Sequence, residues 1–367
     1  MKTLLHTAGA ITALIILWLV WPARFDPAYW DEPQPPALTG VLEPRGRLAG
    51  IEEIGRGLIT NSEDVAIAPD GSIWASQHDG SVAQLVHDSF GDWQRGATIE
   101  VSRLPALGLQ WDAAGRLIVA ASDGVYAVDV ETGSVETLTM QAAERPLSFA
   151  DDLDIADNGM IYFSEASWKW ANDPYRRTYA YDMAENRPYG ALVALDPDTG
   201  DTEVLVEDLY FANGVALSAD QNAVFVLETY RYRLSRYWIN GPRAGEFEVV
   251  ADNLPGIPDG VLGDGQGRLF ISMDTQRVPL LGFLHRNPFL TRLITKLPDW
   301  VWIQAGAPRA FVLVMNEDGE YLDSFHDPDG RFGLLANAVP DGEGNLWLGS
   351  LTEGVVGRME LPDSLRD

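Results

Sequence analysis

The chain has 367 residues, 46% hydrophobic and 22% charged, enough to bury a large core, so a disordered segment and a disulfide-stapled miniprotein are both excluded. With 54 acidic against 26 basic side chains the net charge is -28, which repels a phosphate backbone and excludes nucleic acid as a partner. There is no cysteine, hence no disulfide, no thiolate metal site and no cysteine nucleophile.

Residues 1–22 read as a signal anchor. From Leu4 to Trp21 only His6, Thr7 and Thr12 are polar, and 18 residues at about 1.5 Å each just span the hydrocarbon of a bilayer. A cleaved secretory signal is the rival reading. No small-x-small cleavage site follows, however; Trp18, Trp21, Pro22, Arg24 and Phe25 stand there, and Trp suits a membrane interface. An uncleaved, single-pass anchor puts the body on the non-cytoplasmic side, because no later segment is long and apolar enough to return. Residues 23–44, with four prolines between Asp26 and Gly40, read as a tether.

From residue 45 to 362 the chain repeats itself. An apolar strand, a turn with Gly and a second apolar strand recur six times: DVAIAPDGSIWAS from Asp64, GLQWDAAGRLIVA from Gly108, DLDIADNGMIYFS from Asp152, GVALSADQNAVFVL from Gly214, GVLGDGQGRLFIS from Gly260 and AVPDGEGNLWLGS from Ala338. The turn glycines Gly71, Gly115 and Gly159 are spaced 44 residues apart. Period-two alternation broken by Asp-Gly or Asn-Gly is a hairpin signal, and six such units predict an all-β, six-bladed β-propeller behind an N-terminal transmembrane helix. Residues 363–367 read as a tail. Two intervals exceed the repeat, 164–190 and 277–308, and are insertions. The first is rich in Trp, Tyr and Arg; the second carries Leu280, Phe283, Phe289, Leu290 and Trp300. Each reads as a lid, a contact surface or a loop helix packed on the rim, with membrane contact a further option for the second.

The first strand of every blade lines the channel of a propeller. Seven residues before the turn positions Asp70, Asn158, Asp220 and Gln266 stand Glu63, Asp151, Asn213 and Asp259; the other two units place Leu107 and Ala336 there. Taken singly, each of these oxygen-bearing residues is an ordinary turn former. In one shared register they face one another across the axis, where they repel unless a cation lies between them. Hard oxygen donors without Cys or His suit Ca²⁺, with another divalent metal as the alternative.

The segments SEDVAIAPDG, FADDLDIADNGMIYFSEAS, YFANGVALSADQNAVFVLETYRYRLSRYWI, GPRAGEFEVVADNLPGIPDG and HDPDG resemble the strictosidine synthase-like family, in the branch of the adipocyte plasma membrane-associated protein. That branch has an N-terminal membrane anchor before a six-bladed propeller. The chain is more distantly similar to gluconolactonase, regucalcin, paraoxonase and diisopropyl-fluorophosphatase. Those carry an axial Ca²⁺ held by a Glu, two Asn and an Asp, and the resemblance implies the same role for Glu63, Asp151, Asn213 and Asp259. Asp151 departs from the pattern, replacing an Asn and adding a charge. A second departure is Asn337, at or next to the position where plant strictosidine synthases use a Glu. No acid lies between Gly333 and Pro340, which counts against Pictet–Spengler condensation.

The resemblance implies metal-dependent hydrolysis of esters or lactones, and of phosphotriesters as a further class. Asp259 is the candidate nucleophile or base; Asp152 is a candidate base, or a residue that fixes the loop. His78 is placed near the channel mouth, while His285 and His326 lack the partners of a triad. Trp168, Trp170, Tyr175, Trp300 and Trp302 are candidates for an apolar wall above the metal. The rival from another class is a non-catalytic propeller, stabilised by calcium and offering its rim as a docking surface.

Overall fold

The structure, a computed structural model, describes residues 6, 17–19, 21–172, 178–303, 309–327, 329–330 and 332–366. Six four-stranded antiparallel sheets follow one another in the chain. Their innermost strands are Val65–Ile67, Ala106–Trp111, Ala150–Ile155, Ala212–Leu217, Gly256–Gly263 and Leu335–Pro340, defining blades 1 to 6. Each touches the next around the axis and the sixth touches the first, which closes the ring. The outer strand of blade 6 comes from the other end of the chain. Glu52–Ile54 pairs antiparallel with Val356–Glu360, Glu52 opposite Arg358.

The sequence pattern explains the layering. Second strands such as Leu117–Ala121 and Ala223–Glu228 are buried throughout, because both faces of a blade pack on neighbouring blades; they read as apolar runs rather than alternating ones. Alternation appears in outer strands such as Phe247–Ala251. The hairpin glycines Gly71 and Gly159 have φ of 81° and 89°, and in blade 4 Gln221 adopts the left-handed conformation in their place.

Both insertions join the second strand of a blade to the third. In an antiparallel blade that connection lies at the end where the innermost strand begins, so both sit over the same mouth of the channel. The first forms the helix Tyr179–Glu185, and the second the helices Pro279–His285, Pro288–Ile294 and Asp299–Trp302.

Two expectations meet the structure here. Residues 23–44 form a packed strap rather than a free tether. Phe25 is buried among Trp170, Tyr181 and Trp302 at ring distances of 5.2, 5.2 and 5.9 Å. Ala28 N donates to Glu185 O at 2.9 Å and Trp30 N to His285 O at 3.1 Å, and Leu42 enters the core between blades 4 and 5. Prolines forbid regular structure but not packing. The expected anchor falls mostly outside the described residues; of Leu4 to Trp21 only His6, Leu17–Leu19 and Trp21 are described. Among the described residues no helix is long and apolar enough to cross a membrane.

Candidate metal centre at the propeller axis

The innermost strands break register at one shared place: between Ala106 and Leu109, Ala150 and Leu153, Ala212 and Val215, Pro258 and Val261, and Leu335 and Ala338. The skipped residues are Leu107–Gly108, Asp151–Asp152, Asn213–Gly214, Asp259–Gly260 and Ala336–Asn337. In blade 1, where pairing starts at Val65, the matching pair is Glu63–Asp64. A bulge leaves backbone unpaired and re-aims a side chain. Here serines of the second strands answer the freed amides: Ser76, Ser164 and Ser272 Oγ accept from Asp64, Asp152 and Gly260 N at 2.9, 3.1 and 2.8 Å.

The first residues of the six pairs are the axial ring. Glu63, Asp151 and Asn213 line a cavity of about 10 Å³ together with Leu107 and Ala336, room for a single water-sized occupant. Asp259 joins them through Asn213, whose Nδ2 donates to Asp259 Oδ1. The second residues form a latch layer beneath. Asp64 accepts from Val65 N at 2.8 Å, Leu109 N at 2.7 Å and Asn337 Nδ2 at 2.7 Å, tying blades 6, 1 and 2 together. Asp152 accepts from Leu153 N at 2.9 Å and Val215 N at 3.0 Å, tying blade 3 to blade 4. Both its oxygens are committed to backbone amides, an arrangement that fixes the loop.

Two of the four are buttressed from just past the end of their own second strand. His78 Nε2 lies 3.3 Å from Glu63 Oε2, and Thr229 Oγ1 accepts from Asn213 Nδ2 at 3.3 Å. By register, Asp274 occupies this place in blade 5 and Ala166 in blade 3. Asp151 therefore has no such partner, and its Oδ2 is buried without a hydrogen bond, as is Asp259 Oδ2. Burial raises the Asp151 carboxyl well above the usual range, followed by the charges of Glu63, Asp259 and Asp152. Burial likewise raises Asp259, with Asp274 and Glu63 next. Asp274 itself is pushed up to about 7 by burial and by Glu63.

These observations test the fit of a divalent cation. Glu63, Asp151 and Asn213 line a water-sized cavity, Asp259 stands beside it on Asn213, and neighbouring charges oppose the ionisation of Asp151 and Asp259. Among the described residues no group of three His, Asp or Glu side chains is placed to hold a metal by itself.

Leu107, Phe149, Ala166, Phe211 and Tyr230 form an apolar cluster by the ring, with Met183 of the first insertion's helix packed against it. Tyr230 Oη donates to Tyr179 O at 3.1 Å. The expected aromatic wall is thus made of other residues. Trp170 and Trp302 belong to the Phe25 cluster, Trp168 packs edge-on against Tyr189, and Trp300 is 81% exposed; Tyr175 lies outside the described residues. His285 Nε2 is 2.9 Å from Met183 O, and His326 stacks on Phe311 at 4.4 Å. Burial pushes both imidazoles down to about 4.

A pH dependence follows. Burial pushes Asp64 up to about 7, and Asp182, buried in the first insertion, up to about 8. The folded chain keeps protons that the unfolded chain has released above about pH 4, so this stability is full below that value and is lost as pH rises through the folded pKa values. His285 and His326 act in the opposite sense up to about pH 6.5, so the melting temperature of chelator-treated protein is expected to fall between about pH 6.5 and pH 8, and Ca²⁺ to reduce the fall by neutralising the ring. A melting temperature that rises over this range without metal would show that the acids are not frustrated.

The fold and this centre define a class, six-bladed propellers with a polar axial site. The chain belongs to the strictosidine synthase-like family. The family model described as strictosidine synthase matches residues 151–242, and that described as strictosidine synthase-like, N-terminal, matches residues 40–85. Strictosidine synthase-like 6 of Arabidopsis thaliana is 31% identical over 96% of this chain and 93% of its own. The adipocyte plasma membrane-associated protein of Gallus gallus is 32% identical over 92% and 84%. Among solved structures, a gluconolactonase from Xanthomonas campestris superposes with a TM-score of 0.60 at 19% identity, covering 94% of this chain and 99% of its own. The calcium-binding protein regucalcin from Agrobacterium tumefaciens gives 0.56 at 16%, covering 83% and 90%. At these identities the structural likeness establishes the propeller fold.

Proposed function

We propose that the protein is a Ca²⁺-dependent hydrolase of esters or lactones, with phosphotriesters as a further substrate class, working at the propeller axis. The observation that carries the reading is a water-sized cavity lined by Glu63, Asp151 and Asn213, with Asp259 bonded to Asn213 beside it and one oxygen each of Asp151 and Asp259 buried without a hydrogen bond. Glu63, Asp151, Asn213 and Asp259 would hold the cation, whose contribution is to polarise a carbonyl or phosphoryl oxygen. His78 orients Glu63, and Asn213 orients Asp259. Asp259 is then the carboxylate able to attack or to take a proton from water. Asp152 acts through the latch, holding Asp151 in place. A gluconolactonase among the structural neighbours agrees with this chemistry. Condensation of the strictosidine synthase type is disfavoured, because buried Asn337 is spent on Asp64.

The mouth cluster supports a second reading. With Phe149, Phe211, Tyr230 and Met183 packed beside the ring, the same ion serves as a structural pin in a non-catalytic propeller. Hydrolysis of phenyl acetate and a simple lactone, measured before and after chelation and again with Ca²⁺ restored, separates the two. Activity that disappears and returns supports the hydrolase; a melting temperature raised by Ca²⁺ without any turnover supports the scaffold. For location, we infer a single-pass membrane anchor with the propeller on the non-cytoplasmic side. The apolar run from Leu4 to Trp21 supports this, as do relatives named plasma membrane-associated.

A further inference from the structure

The second insertion is folded inside out. The helix Pro288–Ile294 buries Thr291, at 1% exposure, and leaves Phe289 65% exposed with Leu290 beside it. Thr291 Oγ1 is satisfied internally by Leu284 O at 2.7 Å, and the buried Thr295 Oγ1 by Thr291 O at 2.8 Å. The helix Pro279–His285 buries Leu281 and His285 and turns Leu280 and Phe283, three positions apart, outward. Trp300 and Leu297, later in the same insertion, are exposed as well. A water-facing helix does the opposite, because exposing apolar area costs about 25 cal/mol per Å². Such a surface is suited to a partner, and two further observations bear on its chemistry.

One is the place where the N-terminal apolar run arrives. Lys296 Nζ donates to Trp18 O, Leu19 O and Trp21 O at 2.9, 3.2 and 2.7 Å, fastening the end of that run to the insertion. The other is charge. Arg24, Arg187, Arg286, Arg292 and Lys296 surround the patch against Asp26, Asp31 and Asp299, a basic surplus on a chain of net charge -28. Arginines and lysines bordering Trp, Phe and Leu form the profile of a helix lying in a phosphate-rich interface.

We propose that the second insertion lies on a lipid bilayer, with Leu280, Phe283, Phe289 and Trp300 entering the interface beside the N-terminal run. Because both insertions stand over the end of the channel where the acids lie, this contact turns the channel mouth towards the membrane. The inference is independent of whether the axial centre is catalytic.

The cysteine-free chain makes the test clean. Full-length protein carrying Trp18→Cys, Phe289→Cys, Trp300→Cys or Phe90→Cys is labelled with an environment-sensitive fluorophore and placed in phosphatidylcholine–phosphatidylserine nanodiscs with or without brominated acyl chains. Phe90 is 89% exposed on a loop at the opposite end of blade 1 and serves as the control. Brominated lipid is expected to quench the labels at 289 and 300 at least about twofold, as interfacial insertion of 5–10 Å requires, and to leave the label at 90 unchanged. Quenching at 18 alone would keep the anchor and overturn the docking surface; absence of quenching at 18 as well would remove both. Labels at 289 and 300 shielded from water without lipid quenching would assign the face to a second copy or a protein partner and overturn the proposal, as would equal quenching at 90.

Discussion

Asp259→Asn is expected to abolish turnover, by about 10³-fold or more, while making the metal-free protein more stable. The two effects share one cause. Asp259 is buried, its Oδ2 has no hydrogen-bond partner, and its charge is opposed by Asp274 and Glu63. Asparagine still accepts the hydrogen bond from Asn213 and places an amide where the orphaned oxygen stood, so in chelator the variant should gain about 1–3 kcal/mol. With Ca²⁺ the order reverses, because the wild type gains a cation bound by one more charge. Melting curves with and without Ca²⁺, alongside the esterase assay, check both halves. Undiminished activity would remove Asp259 from the chemistry, and a lower melting point in chelator would remove the repulsion. Asp151→Asn should show the same inversion of stability with a smaller loss of activity, since it alters the ring without removing the candidate nucleophile.

The second large effect comes from a hydrogen atom. A Cβ on Gly214 would lie 2.3 Å from Val261 N, 2.7 Å from Gly260 C and 2.8 Å from Gly260 Cα, all backbone. No side chain there can swing aside, so Gly214→Ala must separate blades 4 and 5 between Asn213 and Asp259. A cost of about 3 kcal/mol or more is expected, with loss of the Ca²⁺-induced rise in melting temperature. Gly263→Ala, whose nearest neighbour would be Leu217 O at 3.3 Å, is the matched control and should cost less than about 1.5 kcal/mol. Urea midpoints of the two variants decide; equal values would mean that the blades tolerate a wider axis.

The repeat was legible because six copies share one register, so counting back from turn residues led to Glu63, Asp151, Asn213 and Asp259, which fall at one level of the channel. Their presentation was not legible, because a bulge is a pairing event between strands and leaves no mark on one strand alone. Its counterpart was in view all the same: Ser76, Ser164 and Ser272 stand twelve residues after the bulged amides that they answer. His78 and Asp274 are fifteen residues beyond Glu63 and Asp259, a count that places both beside the ring, the first as a hydrogen-bonding partner and the second as an opposing charge. The strap is hidden in the sequence for another reason. Proline content describes which hydrogen bonds a backbone can make, and Phe25, Trp30 and Leu42 pack without needing any.

The closing strand has a consequence for how the molecule is made. Glu52 meets Arg358 only after about 300 intervening residues, so the last blade is completed by the longest-range pairing in the fold. During synthesis, residues 52–54 must wait unpaired until nearly the whole chain has emerged, while blades 1 to 5 stack in order. Loss of a few residues around Val356 would therefore leave all six repeats translated and the ring open, a species with exposed strand edges on both sides of the gap.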